Sequence, residues 1–104
     1  MPKKIKTTAA DRKWAKLIKE RDHWACQRCG TVYPKKSRGL HAAHIFSRRF
    51  KRTRHDPING VALCFGCHAH FHSNPIEFMA WAEEHLGERT FKELMGKARK
   101  LAVN

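Results

Sequence analysis

The stretch Asn59-Gly60-Val61-Ala62-Leu63-Cys64-Phe65-Gly66-Cys67-His68-Ala69-His70-Phe71-His72 decides how this chain reads. It joins a Cys-x-x-Cys knuckle to two histidines spaced four apart. A second knuckle, Cys26-Gln27-Arg28-Cys29, lies upstream, and His41-Ala42-Ala43-His44-Ile45 stands between the two. Cysteine pairs at this spacing are the half-sites of structural zinc. A Cys₂His₂ finger would join Cys26 and Cys29 to His41 and His44. Only two residues separate those histidines, whereas a finger needs roughly three to five to bring both imidazoles onto one helix face. Cys26, Cys29, Cys64 and Cys67 are therefore expected to share one Cys₄ zinc site, which ties the first quarter of the chain to its middle.

That assignment leaves the histidines for another task. On a helix, His68 and His72 sit about 40° apart and reach one ion together, while His70 lies roughly 200° from His68 and points elsewhere. One histidine alone reads as a surface or hydrogen-bonded residue. Two at ligand spacing beside a zinc knuckle read as metal ligands.

A chain of 104 residues is expected to form one domain, and at that size a metal staple adds useful stability. No apolar run follows the basic start Met1-Pro2-Lys3-Lys4 as an export signal requires, and none approaches the about 20 residues of a membrane span. A reducing cytoplasm with bound zinc is the expectation, rather than disulfides in an exported chain. The net charge of +13 comes from 22 Lys and Arg against 9 Asp and Glu, which points to a polyanionic partner. Lys35, Lys36, Arg38, Arg48, Arg49, Lys51, Arg52 and Arg54 cluster between the knuckles, around the histidines.

Residues 1–7 read as a mobile basic arm. A helix capped by Thr7 or Thr8 follows, with Trp14, Leu17 and Ile18 as its apolar stripe, within an N-terminal unit of 8–23. Trp14 and Trp24 read as core residues rather than base-stacking platforms. Leu40 to Phe46 has strand character, 47–57 reads as a wide basic loop, and Asn59-Gly60 reads as a turn into a second strand. The second knuckle opens a short helix to about Ser73. Asn74, Pro75 and Glu77 signal a further helix start, Gly87 its stop, and Thr90 to Glu93 another capping box. Two helices over 75–103 read as scaffold around a core of 24–75.

Asn59, Leu63-Cys64-x-x-Cys67-His68 and His72, preceded by His44-Ile45, resemble the HNH endonuclease family, and its zinc-knuckle, phage-type subgroup in particular. The resemblance spans about residues 24–75. It implies a small α+β fold: a ββα-metal core with a Cys₄ structural zinc, flanked by N- and C-terminal helices. It implies His44 as general base, Asn59 holding His44 or its loop by hydrogen bonds, and a catalytic divalent ion (Mg²⁺, Mn²⁺, Ni²⁺ or Zn²⁺) on His68 and His72. Cleavage of DNA to a 5′-phosphate and a 3′-hydroxyl, in the cytoplasm of a bacterial host if the chain is phage-encoded, follows from the same likeness. Many members carry Asp or His before the catalytic histidine as a further ligand. Here that residue is Ala43, and His41 is the substitute, provided a bulge or turn brings it to the side of His44. Asp56 is a weaker oxygen-ligand candidate. Arg48, Arg49, Lys51, Arg52 and Arg54 are the expected phosphate contacts. A homodimer would allow double-strand breaks, and no interface is legible. The competing reading is a non-catalytic, zinc-dependent nucleic-acid-binding accessory protein, which has the charge and the knuckles but no need of His44, Asn59, His68 and His72.

Overall fold

A computed structural model describes residues 5–99. Helix α1 (Ala9–Arg21) begins where Thr8 and Asp11 close a reciprocal capping box: Asp11 N donates to Thr8 Oγ1 (3.2 Å) and Thr8 N to Asp11 Oδ2 (2.7 Å). Trp14 and Ile18 are its buried face. Leu17, expected beside them, is 45% exposed, because the stripe that meets the sheet runs Asp11, Trp14, Ile18. Of the basic arm expected over 1–7, residues 1–4 lie outside the described residues. Ile5, Lys6 and Thr7 are tied down, since Arg48 donates to the Ile5 carbonyl and the Thr7 hydroxyl and Arg54 to the Lys6 carbonyl.

Strands β1 (Leu40–His44) and β2 (Gly60–Cys64) pair antiparallel, with Leu40 opposite Cys64 and His44 opposite Gly60. β1 stops two residues short of the expected Phe46. Its partner there is no longer extended but a 3₁₀ turn over Pro57–Asn59, and the Asn59 carbonyl and side chain take the amides of Ile45 and Phe46 instead. Asn59-Gly60 is therefore not the hairpin turn itself. Gly60 is needed for space: a Cβ there would lie 2.5 Å from Trp14 Cζ2 and 2.6 Å from Ile18 Cδ1, so α1 lies directly on the sheet at that point.

The free edge of β2 is covered by the end of α1 and the first knuckle. Buried Asp22 accepts from Ala62 N (2.9 Å), Arg21 donates to Gly60 O (2.8 Å), and Gln27 N donates to Ala62 O (2.9 Å). Such capping removes the edge as a template for pairing. Between them His23 and Trp24 both take left-handed backbone (φ 56° and 57°), which turns the chain from helix to knuckle.

Helix α2 (Phe65–Ser73) follows β2 with no linking residue, completing a ββα unit. Helices α3 (Pro75–Leu86) and α4 (Glu88–Arg99) pack on each other and on the core, burying Ala82, Phe91, Leu94 and Ala98. Pro75 fits the first turn of α3, and Gly87 (φ 88°) stops it. Two capping expectations fail. The Asn74 side chain donates back to His70 O, closing α2 rather than opening α3, and Glu77 pairs with His70 and Arg28. α4 starts before Thr90, so no box forms there. The scaffold helices, expected to 103, are described to Arg99. The fold is small α+β: among the described residues, four helices surround a two-stranded sheet. Among the described residues no helix is long and apolar enough to cross a membrane.

Candidate metal centre and catalytic cleft

The sulfurs of Cys26, Cys29, Cys64 and Cys67 all lie within 4.8 Å of one another, and no disulfide joins them. Zn–S bonds of about 2.3 Å span a tetrahedron with edges of about 3.8 Å. Cys29 Sγ and Cys64 Sγ stand 3.8 Å apart. Each knuckle folds around its first sulfur: Cys29 N points at Cys26 Sγ (3.5 Å) and Cys67 N at Cys64 Sγ (3.4 Å). Cys64 thereby also caps α2. Arg28 donates to Cys67 Sγ (3.5 Å) and lies 4.9 Å above the Phe71 ring, bringing positive charge to the sulfurs. Burial pushes the Cys67 thiol up to about 12, while hydrogen bonding to Thr31 brings Cys29 down to about 6. A cation among the four is what makes full ionisation favourable. The cluster fits a zinc ion.

A second site is a cleft that none of the four cysteines lines. This cleft of about 730 Å³ lies between α1, β1, α2 and the start of α3, and His44, His68 and His72 all line it. His44 is fixed on two sides. Its Nε2 lies 3.0 Å from the Arg54 carbonyl, which only accepts, so Nε2 carries the proton and Nδ1 keeps its lone pair. Its ring is stacked on Trp14, with centroids 4.1 Å apart and planes 12° from parallel. Burial pushes His44 below the ordinary imidazole value, partly offset by the Arg54 carbonyl.

Asn59 is fully buried and uses its whole amide. Nδ2 donates to Phe46 O (2.9 Å) and Thr53 O (3.0 Å), and Oδ1 accepts from Phe46 N (2.8 Å). It pins the loop 45–59 one peptide away from the carbonyl that holds His44.

His41 Nδ1 and His68 Nδ1 are 2.9 Å apart. Bonds of about 2.0–2.1 Å to one tetrahedral ion set two nitrogens about 3.3–3.4 Å apart, so at 2.9 Å the pair is a hydrogen bond, somewhat shorter than the spacing of two ligands on one ion. Burial, with the neighbouring His72 and His41, brings His68 down to about 4, which leaves its lone pair available. The His68 and His72 rings lie 4.9 Å apart, but the three histidines do not converge as the cysteines do: among the described residues the Cys₄ group is the only cluster of three or more close donors. No bulge lies between His41 and His44, and His41 does not line the His44 cleft. The register of β1 is regular, and His68 itself reaches both ways, touching His41 and lining the His44 cleft. Ala43 is fully buried in the core.

The remaining expected residues separate. Arg49, Lys51 and Arg52 are exposed on the loop, and Arg48 lines the cleft. Arg54 is placed otherwise: its guanidinium forks onto buried Asp11, Nε to Oδ1 at 2.8 Å and Nη2 to Oδ2, which also receives Thr8 N. It is a clamp on the loop rather than a free phosphate contact. Asp56 lies away from the histidines, capping the 3₁₀ turn through Ile58 N and pairing with Lys97. His70 pairs with Glu77 and takes no part. Trp14 and Asp11 were not legible as site residues. Trp14 has the spacing of any core aromatic, and the capping box accounts for Asp11 locally.

A family model described as HNH endonuclease matches residues 26–79. No curated protein and no solved structure matches the chain. The match covers about half of the sequence, including both knuckles, both strands, α2 and the cleft histidines, and the chain belongs to the HNH endonuclease family.

Proposed function

We propose that this protein is a metal-dependent DNA endonuclease in which His44 is the general base. The observation that carries the reading is the His44 contact: an imidazole held by a carbonyl at Nε2, neutral at physiological pH and with the Nδ1 lone pair free, on a residue that lines one cleft with His68 and His72. That is the state a base needs in order to take a proton from water. The water oxygen attacks phosphorus as its proton passes to Nδ1. The bond to the 3′ oxygen breaks and the leaving oxygen takes a proton from solvent water, giving a 5′-phosphate and a 3′-hydroxyl. A divalent ion on His68, with His72 or His41 as its second ligand, would polarise the phosphate and stabilise charge on the leaving oxygen. Asn59 keeps the loop and its carbonyl in place. Arg48, Arg49, Lys51 and Arg52 supply phosphate contacts that position the backbone without reading sequence. The phage-type assignment, and with it the bacterial cytoplasm, belongs to the same reading and rests on the motif pattern.

Supercoiled plasmid incubated with Mg²⁺, Mn²⁺, Ni²⁺ or Zn²⁺ tests this. Nicking that a chelator stops, with DNA affinity falling steeply as salt rises, is expected. Salt-sensitive binding without cleavage by any of these ions, on any DNA form, would leave the accessory binding module as the function.

A further inference from the structure

We propose that helix α1, which lies outside the matched segment, is part of the active site, with Trp14 and Asp11 as positioning residues for His44. The proposal rests on His44 being the base.

Two separate contacts lead from α1 to the same loop. Trp14 lies flat on the His44 imidazole at 4.1 Å and donates its Nε1–H to the Asp56 carbonyl at 2.9 Å. Asp11 takes the fork of Arg54, and Oδ1 lies 2.8 Å from His55 Nε2. Arg54, His55 and Asp56 are consecutive, so three successive residues of the loop are fastened to one helix. The carbonyl that receives the His44 proton belongs to the first of them. From the other side Asn59 holds the Thr53 carbonyl. The acceptor of His44 is thus gripped on both flanks.

The two contacts restrict different motions. Stacking on Trp14 fixes the plane of the imidazole but permits a 180° flip, which would exchange ring carbons for nitrogens. The Arg54 carbonyl forbids the flip and selects the Nε2–H tautomer. Both are required for Nδ1 to present its lone pair at one place, and a base misplaced by a fraction of an ångström loses rate steeply. Packing alone would be served by any apolar residue at position 14. It does not explain a stacked ring whose N–H reaches the loop that orients the base.

The test uses the zinc-loaded full chain. Long-range ¹H–¹⁵N spectra read the His44 tautomer, and nicking assays give kcat and KM separately. Wild type is expected to show the Nε2–H tautomer alone. Trp14→Leu and Asp11→Asn are expected to mix tautomers and to lower kcat by about tenfold or more, with KM within about twofold. Trp14→Phe, which keeps a stacked ring but loses the N–H bond to the Asp56 carbonyl, is expected to recover only part of the loss. Where thermal melting shows that Asp11→Asn has not folded, Arg54→Lys replaces it, keeping the charge and losing the fork. Folded variants with an unchanged His44 tautomer would overturn the proposal. So would mixed tautomers with undiminished kcat in an enzyme that His44→Ala inactivates. Full activity in His44→Ala would instead remove the base reading, a result separable from the spectra.

Discussion

The imidazole of His44 and the main-chain carbonyl of Arg54 meet at 3.0 Å, and this hydrogen bond fixes which nitrogen of His44 is free. Strand β1 supplies the histidine and the loop 45–59 the carbonyl. The geometry of the base therefore depends on how that loop is closed.

Asn59 closes it. Replacing Asn59 with Ala strands the partly buried amide and carbonyl of Phe46 and the buried carbonyl of Thr53. Unpaired buried groups of this kind cost about 2–4 kcal/mol together. Urea unfolding should show that loss, and the folded fraction should cleave more slowly than wild type. Unchanged stability in Asn59→Ala would show that the loop does not depend on this amide.

Gly60→Ala places a methyl group 2.5 Å from Trp14. Overpacking against a ring and an isoleucine costs about 1–3 kcal/mol. Relief requires α1 to lift, so near-ultraviolet circular dichroism of Trp14 should change together with the urea midpoint. A variant as stable as wild type would mean that α1 does not pack this closely.

Much of this was readable in advance and part was not. The Cys₄ site was legible because two short, regular spacings leave few ways to share ligands. The α1 cap at Thr8 and the stop at Gly87 were legible because each is a local backbone requirement. The His41–His68 contact was half legible: strand alternation put His41 on the face away from His44, but where the first turn of α2 would lie relative to both depends on packing. Arg54 misled because an arginine in a basic loop carries no mark of its partner, and Asp11 lies 43 residues away in sequence. Gly60 was read as a turn residue, yet its small size answers a helix that no local pattern connects to it.

Acid should expose the Asp11 pair. The Arg54 guanidinium, with Thr8 and His55, holds the Asp11 carboxyl well below the usual carboxylate range. The unfolded chain therefore takes up a proton at this residue near pH 4, before the folded chain does. The stabilisation is present above that pH and is lost progressively below it. At neutral pH Asp11→Asn should be about 2–3 kcal/mol less stable than wild type, with the gap narrowing as pH falls below about 4. A gap that stays constant down to pH 2 would contradict the pairing.

Zinc removal should unfold the chain. Structural zinc contributes about 10–16 kcal/mol of apparent binding energy, more than a domain of this size has to spare. The buried Cys67 thiol must lose its proton on binding, so zinc uptake should release protons and weaken as pH drops. A chelated, metal-free sample with an unchanged melting curve would show that the cysteines do not hold a structural ion.

The central claim is that His44 takes the proton from the attacking water. Single-turnover cleavage of one defined duplex, with wild type and His44→Ala matched for zinc content, melting temperature and DNA affinity, tests it most directly. A rate loss of about 10²–10⁴-fold in the mutant, with binding unchanged, is expected. Equal rates in the two proteins would contradict it.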